Sequence, residues 1–239
     1  MQCAIVIGAS SGIGRELAKV LSNNGYAVGL AARRLDLLTA LQSELTGKSC
    51  ARQMDVARTD EAVQSLHGVI EELGGMDLIV ICSGVDYYNS NLAWKETKDT
   101  IEVNICGFAA LADAAFGYFA KQGSGHIVGI SSIAALRGSG AHPAYSASKA
   151  FVSNYLEGLR MKAMKSGLNI HITDIRPGNV DTPMSKGQPG LFWVAPPEKA
   201  ARQIFSAIHR RKRIAYITKR WRLIARLLRV MPTWLYAKF

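Results

Sequence analysis

The sequence predicts a doubly wound α/β domain, in which a parallel sheet of about seven strands is covered by helices on both faces and followed by a short basic amphipathic tail. Three observations carry this. Short apolar runs alternate with longer polar-periodic stretches along most of the 239 residues. The apolar runs are continuous rather than alternating, as strands buried on both faces are. The first of them runs directly into a glycine-rich turn that opens a helix, which is how βα units with a parallel sheet begin. A chain of this length holds one such core without a second domain. Residues 1–218 are expected to form the domain and 219–239 an extension of it.

The expected strands are 4–7, 27–31, 49–54, 78–81 and 127–130, with two more near 170–174 and 214–217. Helices are expected between them over 13–23, 35–45, 59–73 and about 98–120, then 143–165 and 197–208. Pro143 suits the first turn of its helix, where a missing N–H costs nothing. Hydrophobic content of 49% with 20% charged residues is ordinary for a globular chain. No run of 18 uninterrupted apolar residues occurs, so no membrane-spanning helix is expected. The first strand is expected to start almost at Met1, without a basic segment before it, so no signal peptide is expected. Cys3, Cys50, Cys82 and Cys106 are scattered, without metal-ligand spacing, which fits free thiols in a reducing, cytoplasmic compartment and no metal site.

The first strand leads into Gly8-Ala9-Ser10-Ser11-Gly12-Ile13-Gly14. A turn of this kind lets backbone amides and a helix N-terminus approach a pyrophosphate, although a glycine turn by itself is also a tight loop. Its place at the first βα junction favours a dinucleotide. About twenty residues on, the second strand ends Ala31-Ala32-Arg33-Arg34, where an NAD site wants a carboxylate for the ribose hydroxyls. An arginine, here Arg33, suits a 2′-phosphate instead and favours NADP(H) over NAD(H), the alternative being a solvated basic strand end.

Ser131-Ser132 closes the fifth strand, and Tyr145 and Lys149 lie one turn apart on one face of the following helix. A phenol of pKa about 10 is a poor acid or base at neutral pH. A neighbouring ammonium is expected to lower that value, and a serine hydroxyl to share the same substrate oxygen. Alone, one Tyr-x-x-x-Lys among eight tyrosines is equally a surface pair.

Together these residues resemble the short-chain dehydrogenase/reductase family, over nearly the whole chain. Gly8 to Gly14 look like its cofactor turn and Asp55-Val56 like its adenine-contacting pair. Asn104, Ser132, Tyr145 and Lys149 match its catalytic set, and Pro177-Gly178-Asn179-Val180-Asp181-Thr182 resembles its nicotinamide-end segment. Two departures stand out. Ile7 precedes the turn where the family has Thr, and Ile81-Cys82-Ser83-Gly84 replaces Asn-Asn-Ala-Gly, losing side chains that steady the sheet centre while Gly84 keeps the close approach. The resemblance implies a Rossmann-type fold and an NADPH-dependent reduction of a ketone or aldehyde. Tyr145 would exchange the proton, with Lys149 holding the nicotinamide ribose, Ser132 steadying the substrate oxygen and Asn104 holding a relay water. It also implies a homodimer or homotetramer through helices 104–120 and 145–165. The competing reading is a non-catalytic NADP-binding scaffold or sensor.

The loop 180–196, with Met184, Leu191, Phe192, Trp193 and Val194, either meets an apolar substrate or packs on the core. His142 either touches substrate or is structural. Charge singles out the tail. Through Ala201 the chain has 18 basic and 18 acidic residues, whereas residues 202–239 hold 11 basic and no acidic ones. Lys219, Arg222, Arg226 and Arg229 share one helical face, and Trp221, Leu223, Ile224, Leu227, Leu228, Val230 and Met231 the other, with Arg220 the exception. Such a helix suits an anionic membrane, its own domain or a second subunit, and nothing beyond charge suggests nucleic acid.

Overall fold

Buried strands of Val, Ile, Leu and Ala pair only when helices cover both sheet faces, and the computed structural model, which describes residues 1–187 and 190–237, has that form. Seven strands make one parallel sheet in the order β3-β2-β1-β4-β5-β6-β7. They are β1 (Cys3–Ile7), β2 (Ala27–Ala32), β3 (Ser49–Gln53), β4 (Leu78–Ile81), β5 (Ser124–Ile130), β6 (Asn169–Pro177) and β7 (Ile214–Ile217). The helices between them are α1 (Gly12–Asn23), α2 (Leu35–Glu44), α3 (Thr59–Leu73), α4 (Trp94–Ile101), α5 (Gly107–Gln122), α6 (Pro143–Lys165) and α7 (Pro197–His209). After β7 come α8 (Trp221–Val230) and the short α9 (Thr233–Tyr236).

One core layer packs α3, α5 and α6 on the sheet through residues such as Leu66, Phe108, Phe119 and Leu156, all nearly free of solvent. The other packs α1, α2 and α7 through Leu17, Leu21, Leu41 and Ile204. The chain runs outward from β1 to β3, returns to β4 on the other side of β1, and runs outward again. That reversal between β1 and β4 opens a crevice at the strands' carboxyl ends, where such sheets bind ligands.

The single helix expected over 98–120 is longer and interrupted. A π-helical turn, Glu102–Cys106, joins α4 to α5 and carries Asn104 at a buried position. Such insertions recur at functional sites because they re-aim a side chain without ending the helix. The whole segment Trp94–Gln122 is long and apolar enough to cross a membrane. Its apolar side chains, among them Leu111, Ala115 and Phe119, are instead buried against the sheet and α3.

Candidate active site

The carboxyl ends of the strands enclose a cleft of about 410 Å³, within the ~300–1,000 Å³ range of small-molecule sites. At one end lies the β1–α1 turn. Gly8 has φ of 89°, and a Cβ there would stand 2.7 Å from the Ser83 amide nitrogen, so only glycine lets this turn meet the end of β4. Ser10, Ser11, Gly12 and Ile13 line the cleft with it. Gly14 does not; it packs on the Gly8 carbonyl, where any side chain would collide. Ser11 is the N-cap of α1 but makes no side-chain capping bond. The orphan amides of the first turn therefore have no competing side-chain acceptor there.

Arg33 and Arg34, both exposed, close this end, and Asp55 and Val56, just past the neighbouring strand β3, line it too. The sequence favoured Arg33 for a 2′-phosphate. Arg34 is equally placed: its Nη2 donates to Ser10 Oγ at 3.0 Å and Ser11 Oγ at 3.1 Å, which folds the guanidinium over the glycine turn. Cys82, Ser83 and Gly84 form the floor. Burial pushes the Cys82 thiol up to about 11, so it stays neutral at pH 7. Ser83 Oγ is buried with no hydrogen-bond partner among the described residues. A polar ligand atom would satisfy it, and with the glycine cradle it makes this end fit a dinucleotide.

At the other end stand Ser132, Tyr145 and Lys149; Pro177, Gly178 and Val180 after β6 also line the cleft, and Thr182 reaches back to pack its methyl against Gly12 of the glycine turn. Ser132 follows β5, and its Oγ accepts the Ala134 amide at 3.1 Å while hydrogen-bonding the Tyr145 phenol. Lys149, almost wholly buried, donates from Nζ to the Ile130 carbonyl at 3.0 Å and sits 5.5 Å from the centroid of the Tyr145 ring. The pKa of the phenol departs from expectation. Burial pushes it above the ordinary tyrosine value, the Asp86 charge adds to the rise, and the Ser132 hydrogen bond opposes it. Burial lowers the Lys149 pKa, against the raising charges of Cys82, Asp86 and Asp174.

Asn104 is buried behind Gly84, next to the cleft. Its Oδ1 accepts from Val85 N at 2.8 Å, and its Nδ2 donates to the Val85 carbonyl at 2.9 Å and to Ser148 Oγ at 3.0 Å. It thus ties the segment after β4 to the residue preceding Lys149. Sequence reasoning did not find the pair formed by Asp86 and His142, whose Oδ1 and Nδ1 are 2.7 Å apart inside the cleft beside Tyr145. The sequence marks His142 alone, because a partner 56 residues away leaves no local signal.

The loop after β6 divides between its two expected readings. Met184 and Leu191 line the cleft, but Phe192 and Trp193 pack on Trp221 of α8, at centroid distances of 5.0 and 6.0 Å. They bind the loop to the tail, and residues 188 and 189 of the loop lie outside the described residues.

The family model described as short chain dehydrogenase matches residues 2–189. The chain belongs to this family. It is accordingly an NAD(P)-dependent oxidoreductase of the short-chain type, acting on alcohol or carbonyl groups. An uncharacterized oxidoreductase of Myxococcus xanthus is 37% identical over 187 residues, covering 76% of this chain and 73% of that protein. The glycine betaine reductase of Emericella nidulans is 34% identical over 229 residues, 89% of this chain but 18% of that much longer protein. Among solved structures, an alcohol dehydrogenase of the archaeon Thermococcus sibiricus, complexed with 5-hydroxy-NADP, superposes with a TM-score of 0.78. It is 24% identical over 90% of this chain and 94% of that one, a likeness of fold.

Proposed function

We propose that this short-chain dehydrogenase reduces a ketone or aldehyde to the alcohol with NADPH, and that its substrate has an apolar portion. One observation carries the reading: a single cleft holds the glycine turn and the arginine pair at one end and Ser132, Tyr145 and Lys149 at the other. A bound NADPH supplies the hydride. The protein holds the carbonyl oxygen between the Ser132 hydroxyl and Tyr145 Oη, where developing negative charge is met by two hydrogen bonds. Tyr145 then gives its proton to that oxygen, and Lys149 favours recovery of the proton from solvent. Asn104 supports this relay by fixing Val85 and Ser148 beside Gly84 and Lys149. The apolar portion is met by Leu191 and Met184. Helices α5 and α6, joined by a 2.7 Å bond from Tyr155 Oη to Asp113, are the surfaces through which two or four copies assemble. The tail also makes a peripheral membrane contact.

The raised phenol pKa supports reduction as the neutral-pH direction, because a proton donor must hold its proton. Reduction needs the neutral phenol, so its kcat/KM stays level through neutral pH and falls only in alkali. Oxidation needs the phenolate, so it climbs with pH and is still rising near the ordinary tyrosine value of about 10. Initial rates in both directions over one buffer series check this. An oxidation rate that levels off at neutral pH refutes it.

NADP preference rests on Arg33 and Arg34, with the 5-hydroxy-NADP of the archaeal relative in support. The double change Arg33→Ala/Arg34→Ala should raise KM for NADPH about 10- to 100-fold, the scale of lost charge-assisted hydrogen bonds, and leave KM for NADH nearly unchanged. Equal losses for the two cofactors would exclude a 2′-phosphate contact. The general test is NADPH oxidation over short ketones, steroids, long-chain aldehydes and 3-keto lipids. Tight NADPH binding with no turnover anywhere on that panel would favour the scaffold reading instead.

A further inference from the structure

Helix α8 presents three faces, not the two its sequence pattern suggests. Trp221, Ala225 and Leu228 turn inward, the first two almost completely buried. The Trp221 ring lies on Gly178, where any side chain would collide with it, and against Phe192. At the other end of the helix, Arg137 Nη1 donates to the carbonyls of Leu228 at 3.0 Å and Met231 at 2.7 Å, capping the last turn. The helix is therefore fixed to the cleft at two points, at Gly178 on one wall and beside the Ile133–Leu136 turn on the other.

What remains faces water. Arg222, Arg226 and Arg229 form one exposed row at helical spacing. Leu223, Leu227 and Val230 form a parallel row, 64, 52 and 78% exposed, and Trp234 beyond the helix is 67% exposed. Since the inner face already anchors the helix, stability of the domain does not account for the exposed Leu223, Leu227 and Val230.

Charge decides what covers them. A second copy laid on this face would bring two arginine rows together, and residues 202–239 contain no acidic residue to answer them. A nucleic acid would answer the arginines and leave the leucines wet. An anionic bilayer answers both, with cations at the headgroups and apolar side chains at the acyl boundary.

We propose that the outer face of α8 docks the protein on an anionic lipid surface. Because the inner face of the same helix rests on both walls of the cleft, the substrate end then lies within one helix diameter, about 10–12 Å, of that surface. The carbonyl that reaches Tyr145 accordingly belongs to an amphiphile held in the lipid, a consequence that rests on the reductase reading.

Flotation of the full chain with phosphatidylcholine vesicles, with and without phosphatidylserine, tests the docking. Binding is expected only with phosphatidylserine and should weaken with salt. Arg222→Gln/Arg226→Gln/Arg229→Gln should bind about a hundredfold more weakly, at roughly fivefold per cation near a charged surface. Leu223→Ser/Leu227→Ser/Val230→Ser should also fail to float; these side chains are exposed, and unchanged NADPH binding and circular dichroism would show the fold retained. Wild type that does not float, or variants that float as well as wild type, overturn the docking. So does a tail face whose apolar triple change dissolves a dimer without weakening flotation.

The substrate consequence is read separately, by NADPH oxidation with hexanal in solution and hexadecanal in phosphatidylserine vesicles. The arginine variant should lose vesicle-borne hexadecanal turnover and keep hexanal turnover. Hexanal turnover with hexadecanal turnover absent or indifferent to the variant overturns the consequence. Loss of both substrates in wild type tells against the reductase reading instead and leaves the docking to the flotation result.

Discussion

Tyr145→Phe should lower kcat about 10³- to 10⁴-fold while NADPH binds with unchanged affinity, the upper part of the range for loss of a positioned general acid. The change removes one oxygen. The ring stays in the cleft, the 3.0 Å bond from Lys149 to the Ile130 carbonyl does not involve the phenol, and the glycine turn that meets the phosphates is untouched. Ser132 keeps its bond from the Ala134 amide and so keeps its orientation. The loss should therefore appear in the chemical step, visible as a single-turnover rate, and not in the fluorescence titration of NADPH. A Tyr145→Phe enzyme within tenfold of wild type would mean that another group supplies the proton. The His142–Asp86 pair, inside the same cleft, is the next candidate, and His142→Gln in the Phe background would identify it.

Most of the frame was legible because its signals are local. Continuous apolar runs mark β1, β2 and β4, and the first glycine turn marks the switch-point cleft, since both depend on neighbours a few residues apart. Strand ends were less so: β5 and β6 extend past their apolar cores into Ser124-Gly125 and Arg176-Pro177, because pairing with a neighbour continues where hydrophobicity stops. The π-helical turn at Asn104 escaped because an inserted residue shifts the helical phase without breaking the apolar pattern. Contacts between distant segments escaped for a different reason. Trp221 reads as part of a single apolar face, yet it is the residue that enters the domain, because Gly178 lacks a side chain 43 positions earlier. The direction of the Tyr145 shift is not legible for the same reason: spacing reveals the cation one turn away, while burial and the charge of Asp86 depend on the folded cleft.

The Asp174 carboxylate shows how such distant contacts hold the site together. It accepts from Ser131 Oγ and from Arg176 Nε at 2.7 Å in the interior, and from the half-buried Ser153 Oγ at 2.8 Å. Ser131 precedes Ser132, Ser153 lies one turn past Lys149 on α6, and Arg176 precedes Pro177 and Gly178. One side chain thus fixes the three segments that bear the serine, the tyrosine–lysine pair and the cleft wall at Pro177 and Gly178. Burial alone would lower the Arg176 pKa, and the charge and hydrogen bonds of Asp174, with help from Tyr216, raise it overall. Asp174→Ala would leave that guanidinium buried without its counter-charge, which costs about 3–5 kcal/mol when one partner of a buried pair is removed. For a chain of this size that corresponds to a fall in Tm of roughly 6–20 °C, measurable by calorimetry. Asp174→Asn, which keeps hydrogen-bonding capacity but not the charge, should lose less stability. Activity should fall as well, measured well below the lowered Tm, because Ser132 and Lys149 lose a shared anchor. A Tm within about 2 °C of wild type, less than 1 kcal/mol on the same scale, would show that Arg176 finds another counter-charge and that the three segments hold their positions independently.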